Sequence, residues 1–122
     1  MSDKPSIVRR IANSWRAYRR RGFGTIDMVA DGFICSERGR ETAIHWNDVT
    51  RIEAGLRDLL TIDIFFVVIR AGAHELMIEE FADGFRQLEN AIFERWPDVR
   101  AQYHALQNGE PHRPRRQTLW QR

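Results

Sequence analysis

Apolar residues recur along this chain first at helical and then at strand spacing, and the change of period marks out its elements. From Ser6 to Arg21 the apolar positions Ile7, Val8, Ile11, Trp15 and Tyr18 follow the helical repeat, while Arg9, Arg10, Arg16, Arg19 and Arg20 fall mostly elsewhere on the wheel. That pattern predicts an amphipathic helix. Ser2 or Asp3 can cap it, Pro5 suits its first turn, Arg19 to Arg21 complement the negative end of its dipole, and Gly22 can stop it.

Beyond Gly24 the repeat shortens to two. Thr25 to Ala30 predicts a strand with Ile26 and Met28 on one face, Asp31-Gly32 a tight hairpin, and Phe33 to Glu37 the returning strand. Glu37 to Arg40 reads as a second turn, with further strands over Glu41 to Trp46 and Val49 to Leu56. Thr61 to Arg70 is the most apolar run. Its expected core face is Ile62, Ile64, Phe66 and Val68, and Phe65, Val67 and Ile69 then require a second cover. Ala71 to Ala73 turns the chain into a strand over His74 to Glu79.

The period then returns to helical. Phe81, Phe85, Leu88, Ile92 and Trp96 make one stripe, which predicts a helix over 82–96 with Asp83 as its cap and Pro97 as its stop. A shorter helix follows over Asp98 to Gln107, and residues 109–122 read as a basic, loosely ordered tail with Leu119-Trp120 as its apolar anchor. The expected architecture is α+β: a strongly bent antiparallel sheet of about six strands capped by a carboxyl-terminal helix, with an additional amino-terminal helix. Residues 1–23 form the basic helix, 24–108 the domain and 109–122 the tail.

Composition narrows the class. With 43% hydrophobic and 30% charged residues over 122 positions, the chain has the makings of one folded core. The longest apolar run, Ile64 to Ile69, is too short to cross a bilayer, which takes roughly 20 residues. A lone cysteine, Cys35, and the absence of an apolar leader point to a reducing cytoplasm. Charge alters the picture more. Seven basic residues against one acidic give residues 1–24 a charge of +6, eight against fifteen give 25–108 a charge of −7, and four against one give 109–122 a charge of +3. The expected domain is acidic and both arms are basic.

The strand series, together with Asp31-Gly32-Phe33, Ile44-His-Trp46-Asn-Asp48-Val49, Ile52 and Glu79-Glu-Phe-Ala-Asp-Gly-Phe85, resembles small bacterial proteins with a pleckstrin-homology-like fold over about residues 24 to 96. The resemblance implies a bent, nearly orthogonal pair of sheets with a helix plugging one open end, and binding rather than catalysis. Lipid-binding members of that superfold use a basic loop between the first two strands. Here the loop is Asp31-Gly32, without lysine or arginine, and phosphoinositide binding is not expected at that place.

Candidate chemistry is sparse. His45, His74, His104 and His112 stand isolated, without the spacing of a metal site, and neither metal nor cofactor is expected. Cys35 alternates with Ile34 in a strand, as a small apolar filler does. Glu53, Asp58 and Asp63 come within one hairpin's reach and could form an acid and base pair, against the simpler reading of solvated carboxylates. Catalytic residues are not expected. The candidates for partner contact are Arg9, Arg10, Arg16, Arg19, Arg20 and Arg21, the acidic Glu53, Asp58 and Asp63, and Trp120, which lacks an evident burial partner. The sequence therefore suggests a non-enzymatic protein-interaction module, such as a toxin-neutralising or regulatory partner. The alternative is a nucleic-acid or anionic-membrane binder acting through the arginine-rich helix. Self-association through Phe65, Val67 and Ile69 is a further expectation.

Overall fold

The structure, a computed structural model, describes residues 24–58, 62–109 and 116–122. The expected helix over residues 6–21 and its arginines lie outside these. Three strands, β1 (Thr25–Val29), β2 (Gly32–Glu37) and β3 (Arg40–His45), form an antiparallel sheet in sequence order. Four more, β4 (Val49–Asp58), β5 (Asp63–Ala71), β6 (His74–Glu79) and β7 (Arg116–Gln121), form a second antiparallel sheet in the order β6-β5-β4-β7. Two helices, α1 (Phe85–Arg95) and α2 (Arg100–Gln107), lie between β6 and β7 in the chain. The architecture is α+β, with seven strands where about six were expected.

The first hairpin turns one residue earlier than its Asp-Gly signal suggests. Val29 pairs with Gly32, so Ala30-Asp31 form the loop and Gly32 belongs to β2. Gly32 is there for close approach: a Cβ on it would lie 1.8 Å from the Ile44 carbonyl oxygen across the sheet. Trp46 to Asp48 then form a short 3₁₀ corner between the sheets, with Trp46 buried and its N–H donating to the Asp31 carbonyl at 2.9 Å.

Ile64 lies in the core as expected, but from Phe65 onward the faces of β5 are the reverse of the expected ones. Phe65, Val67 and Ile69, at 1%, 0% and 0% exposure, belong to the main core. Phe65 meets Phe85 of α1 and Tyr103 of α2 edge-on, with ring centroids 6.5 and 4.8 Å away. Phe66 and Val68 are buried too, but strand alternation puts them on the opposite face, outside that core cluster. The second cover required for Phe65, Val67 and Ile69 is thus the helix layer itself.

The start of α1 also moves. The Asp83 carbonyl accepts the Ile26 N–H at 2.7 Å, tying this residue to β1, and Gly84 rather than Asp83 occupies the cap. Gly84 has φ +91, and a Cβ there would lie 2.2 Å from the Ile26 carbonyl oxygen. The helix therefore begins at Phe85 and buries Phe85, Leu88 and Ile92.

The seventh strand comes from the expected tail. β7 runs antiparallel to β4, with Ile52 opposite Trp120 and a bulge between Ile52 and Glu53, and Arg122 donates its N–H to the Thr50 carbonyl at 2.9 Å. Trp120 extends an aromatic line from Phe33 through Trp46 and Trp96, with successive centroids 5.3, 5.9 and 5.0 Å apart. This line fastens the last strand to the core. Trp120→Ala should lower stability by about 1–3 kcal/mol, less than a fully buried tryptophan because the ring is half-exposed. Urea unfolding checks this, and an unchanged midpoint contradicts the docking of β7.

Candidate functional site

Of the acidic residues expected to act together, Asp58 and Asp63 are brought opposite one another and Glu53 is set apart. The register of the β4–β5 hairpin pairs Asp58 with Asp63 near its turn and Glu53 with Val68. Five residues of strand, about 17 Å, divide Glu53 from Asp58. Glu53 is 6% exposed, its Oε2 lies 2.7 Å from Arg51 Nε, and its Oε1 accepts a hydrogen bond from Arg116 Nε. A carboxylate held by two guanidinium groups is neutralised, and it fastens β7 to β4. Trp120 folds back onto Trp96, half-buried. Arg9, Arg10, Arg16 and Arg19 to Arg21 lie outside the described residues.

The structure instead brings together a groove. It holds about 650 Å³ between the tip of the β2–β3 hairpin and the start of β6, with Cys35, Thr42 and Leu76 inside and Arg40, Glu41 and His74 among the groups at its rim. The hairpin geometry explains the lining: Cys35 pairs with Thr42 next to the fully buried pair Phe33 and Ile44, so the inner face of this sheet continues outward from the core. Burial pushes the Cys35 thiol up, and the charge of Glu37 pushes it further. Cys35 thus stays a thiol, suited to lining the groove and poorly suited to nucleophilic attack.

Among the described residues both strands at this groove end their sheets, β3 in the order β1-β2-β3 and β6 in the order β6-β5-β4-β7. Glu80 donates its N–H to the Phe65 carbonyl at 2.9 Å, which sets the phase of the β5–β6 ladder. Alternation from that bond turns the main-chain groups of Leu76 and Ile78 towards β5 and those of Glu75 and Met77 towards the open edge. Met77, 46% exposed, is one of the described large apolar residues most open to solvent.

The outward face of the four-stranded sheet carries a second charged set. Arg57 Nη1 reaches Glu79 Oε1 at 3.1 Å, and Glu79, 8% exposed, has its other oxygen buried without a hydrogen-bond partner among the described residues. Burial raises the Glu79 carboxyl above its ordinary value of 4.5, more than the Arg57 charge lowers it.

A polar cluster beneath the helices lay beyond sequence reasoning. The fully buried Tyr103 donates its hydroxyl to Glu89 Oε2 at 2.5 Å, Gln107 Nε2 donates to the same oxygen at 3.2 Å, and Glu80 Oε1 accepts the Phe65 N–H at 3.1 Å. Burial and the charge of Glu89 raise the Glu80 carboxyl, the Phe65 N–H opposing them. Tyr103, pushed up by burial and by its bond to Glu89, stays protonated. The one available signal was Glu89 breaking the apolar stripe beside Leu88. Its role is to satisfy a buried phenol.

Among the described residues no three of histidine, cysteine, aspartate and glutamate gather in a set able to hold a metal ion. None of the described helices is long and apolar enough to cross a membrane.

The raised Glu80 carboxyl has a definite sign for stability. A carboxyl whose folded pKa exceeds its unfolded value favours the fold fully while protonated in both states, and the advantage is lost as pH rises through the folded pKa. Glu80→Gln keeps an acceptor for the Phe65 N–H and removes this charge. Its stability relative to the wild type should therefore increase from pH 4.5 upwards to neutrality. Urea unfolding across that range checks it, and a pH-independent difference contradicts the assignment.

Compared with known proteins, the chain matches no protein-family model, no curated protein and no solved structure.

Proposed function

We propose that the protein is a non-enzymatic interaction module that takes up an extended segment of a partner protein along the groove between β3 and β6. The observation that carries this reading is that, among the described residues, both strands bordering the groove end their sheets. An extended peptide laid against a free edge gains main-chain hydrogen bonds, and alternate side chains fall into whatever pockets lie beside it. Cys35 and Leu76 offer apolar contact within the groove, and Arg40, Glu41, His74 and Glu75 offer charges of both signs around it. Those charges also discourage indiscriminate edge pairing, which an open strand otherwise invites.

The resemblance to pleckstrin-homology-like proteins, which work by binding, supports the same reading. A small neutralising or regulatory partner of another protein is the role it fits. The inert environment of Cys35 favours binding over covalent chemistry.

The edge makes the proposal specific. Peptides selected from a random displayed library against the wild-type domain should bind Met77→Ala with affinity within about threefold, since the main chain carries the pairing. Met77→Pro removes an outward N–H and should weaken the same peptides by about tenfold or more, with circular dichroism confirming that the fold persists. If no peptide is selected, or if Met77→Pro binds as well as the wild type, the groove is not used in this way.

A further inference from the structure

The four-stranded sheet shows, in β7, how it fastens a strand at its margin. β7 lies on β4 with Trp120 opposite Ile52 and Arg116 opposite Gly55, and the Arg116 guanidinium reaches two residues along β4 to donate to Glu53 Oε1. Arg51 Nε stands 2.7 Å from the other oxygen of Glu53. One carboxylate thus takes a guanidinium from its own strand and a second from the strand laid alongside. The neighbouring Ile52, on the core face, supplies the apolar half of the attachment to Trp120.

β6, at the other margin of the same sheet, carries a carboxylate and an apolar residue in the same succession. Glu75 pairs with Arg70 of β5, and Arg70 Nε lies 4.0 Å from Glu75 Oε1, beyond hydrogen-bond distance. Among the described residues Arg70 is its one ion-pair partner. The Glu75 side chain is 51% exposed, against 8% for Glu53 with its two guanidinium groups. Leu76 points the other way: it pairs with the buried Ile69, packs half-buried against the core and lines the groove with Cys35 and Thr42.

The cations of the groove leave Glu75 open. Alternation puts His74 on the Leu76 side of β6 and Arg40 on the Thr42 side of β3, both towards the groove, while Glu75 shares the outward side with Met77. A strand added to β6 therefore meets two chemistries in turn, apolar on the groove side and anionic on the outward side.

We propose that the partner segment is a basic one that docks on β6 as β7 docks on β4, an inference that rests on the extended-segment reading above. It runs antiparallel, as the described strand pairings do, with an apolar side chain beside Leu76 in the groove and, at the next position, an arginine beside Glu75. Main-chain pairing at Glu75 and Met77 fixes the register, so the carboxylate is offered to a single position of the segment. An acidic residue at that position meets a like charge directly opposite and is rejected.

Peptides selected from a random displayed library against the full wild-type chain test this. Arginine or lysine should be enriched about threefold or more immediately after an apolar residue. For such a peptide, Glu75→Arg should weaken binding about fivefold or more, and exchanging the peptide's arginine for glutamate should restore binding to Glu75→Arg within about threefold of the original pair. Glu75→Gln, the milder change, should erase the discrimination between arginine and glutamine at that peptide position. Peptides that are weakened by Met77→Pro yet show no basic preference, or bind Glu75→Arg and Glu75→Gln as they bind the wild type, overturn the arginine assignment and leave the groove reading standing. Failure to select any peptide removes the groove reading and this inference together.

Discussion

Phe65 is the residue on which both layers depend. Its ring meets α1 and α2 through Phe85 and Tyr103, while its N–H and carbonyl are both held by Glu80, one through the side chain and one through the main chain. Burying such a ring contributes roughly 1.5–3 kcal/mol, and the double hold on its backbone fixes which face of β5 receives the helices. Once Phe65 points inward, Val67 and Ile69 follow it by strand alternation, and Phe66, Val68 and Glu79 are committed to the opposite face. The same Glu80 bond sets the ladder phase that leaves Glu75 and Met77 facing the open edge. The fold of the core and the availability of the edge thus come from one local arrangement.

Much of this was legible in the sequence. Alternation located β1, β2, β3 and β6 to within a few residues, and the apolar stripe Phe85, Leu88 and Ile92 located α1, because each of those elements has a wet side against which its period shows, while β4 and β5 showed as strand-length runs between turns. The faces of β5 were not legible for the complementary reason. Six consecutive residues, Ile64 to Ile69, are all buried, so the pattern contains no polar phase with which to choose between faces. The choice rests on long-range contacts with Tyr103, which no local pattern records. β7 escaped notice because an edge strand with four polar or charged residues out of six lacks an apolar run, although Thr118 to Trp120 carries the strand-favouring residues that could have suggested it.

The site was less legible than the fold. Glu53 and Asp58 are close in sequence, but five residues of extended strand separate them, while Asp58 and Asp63 are register partners across the hairpin. Glu53 is a structural tie to Arg51 and Arg116, and Trp120 completes an aromatic line within the chain. The groove was invisible because its two banks, around Cys35 and Leu76, come from different sheets some forty residues apart. What unites the account is position: the features with scope for recognition lie at the boundary of the two sheets, where pairing stops.

The central claim is therefore that β6 presents an open edge to that groove. Amide hydrogen exchange of the free protein tests it most directly, because alternate residues of one strand serve as each other's controls. Leu76 and Ile78, bonded to β5, should be protected about a hundredfold or more over Glu75 and Met77, whose N–H groups face outward. Equal protection at all four positions would show that the edge is already covered and would contradict the account.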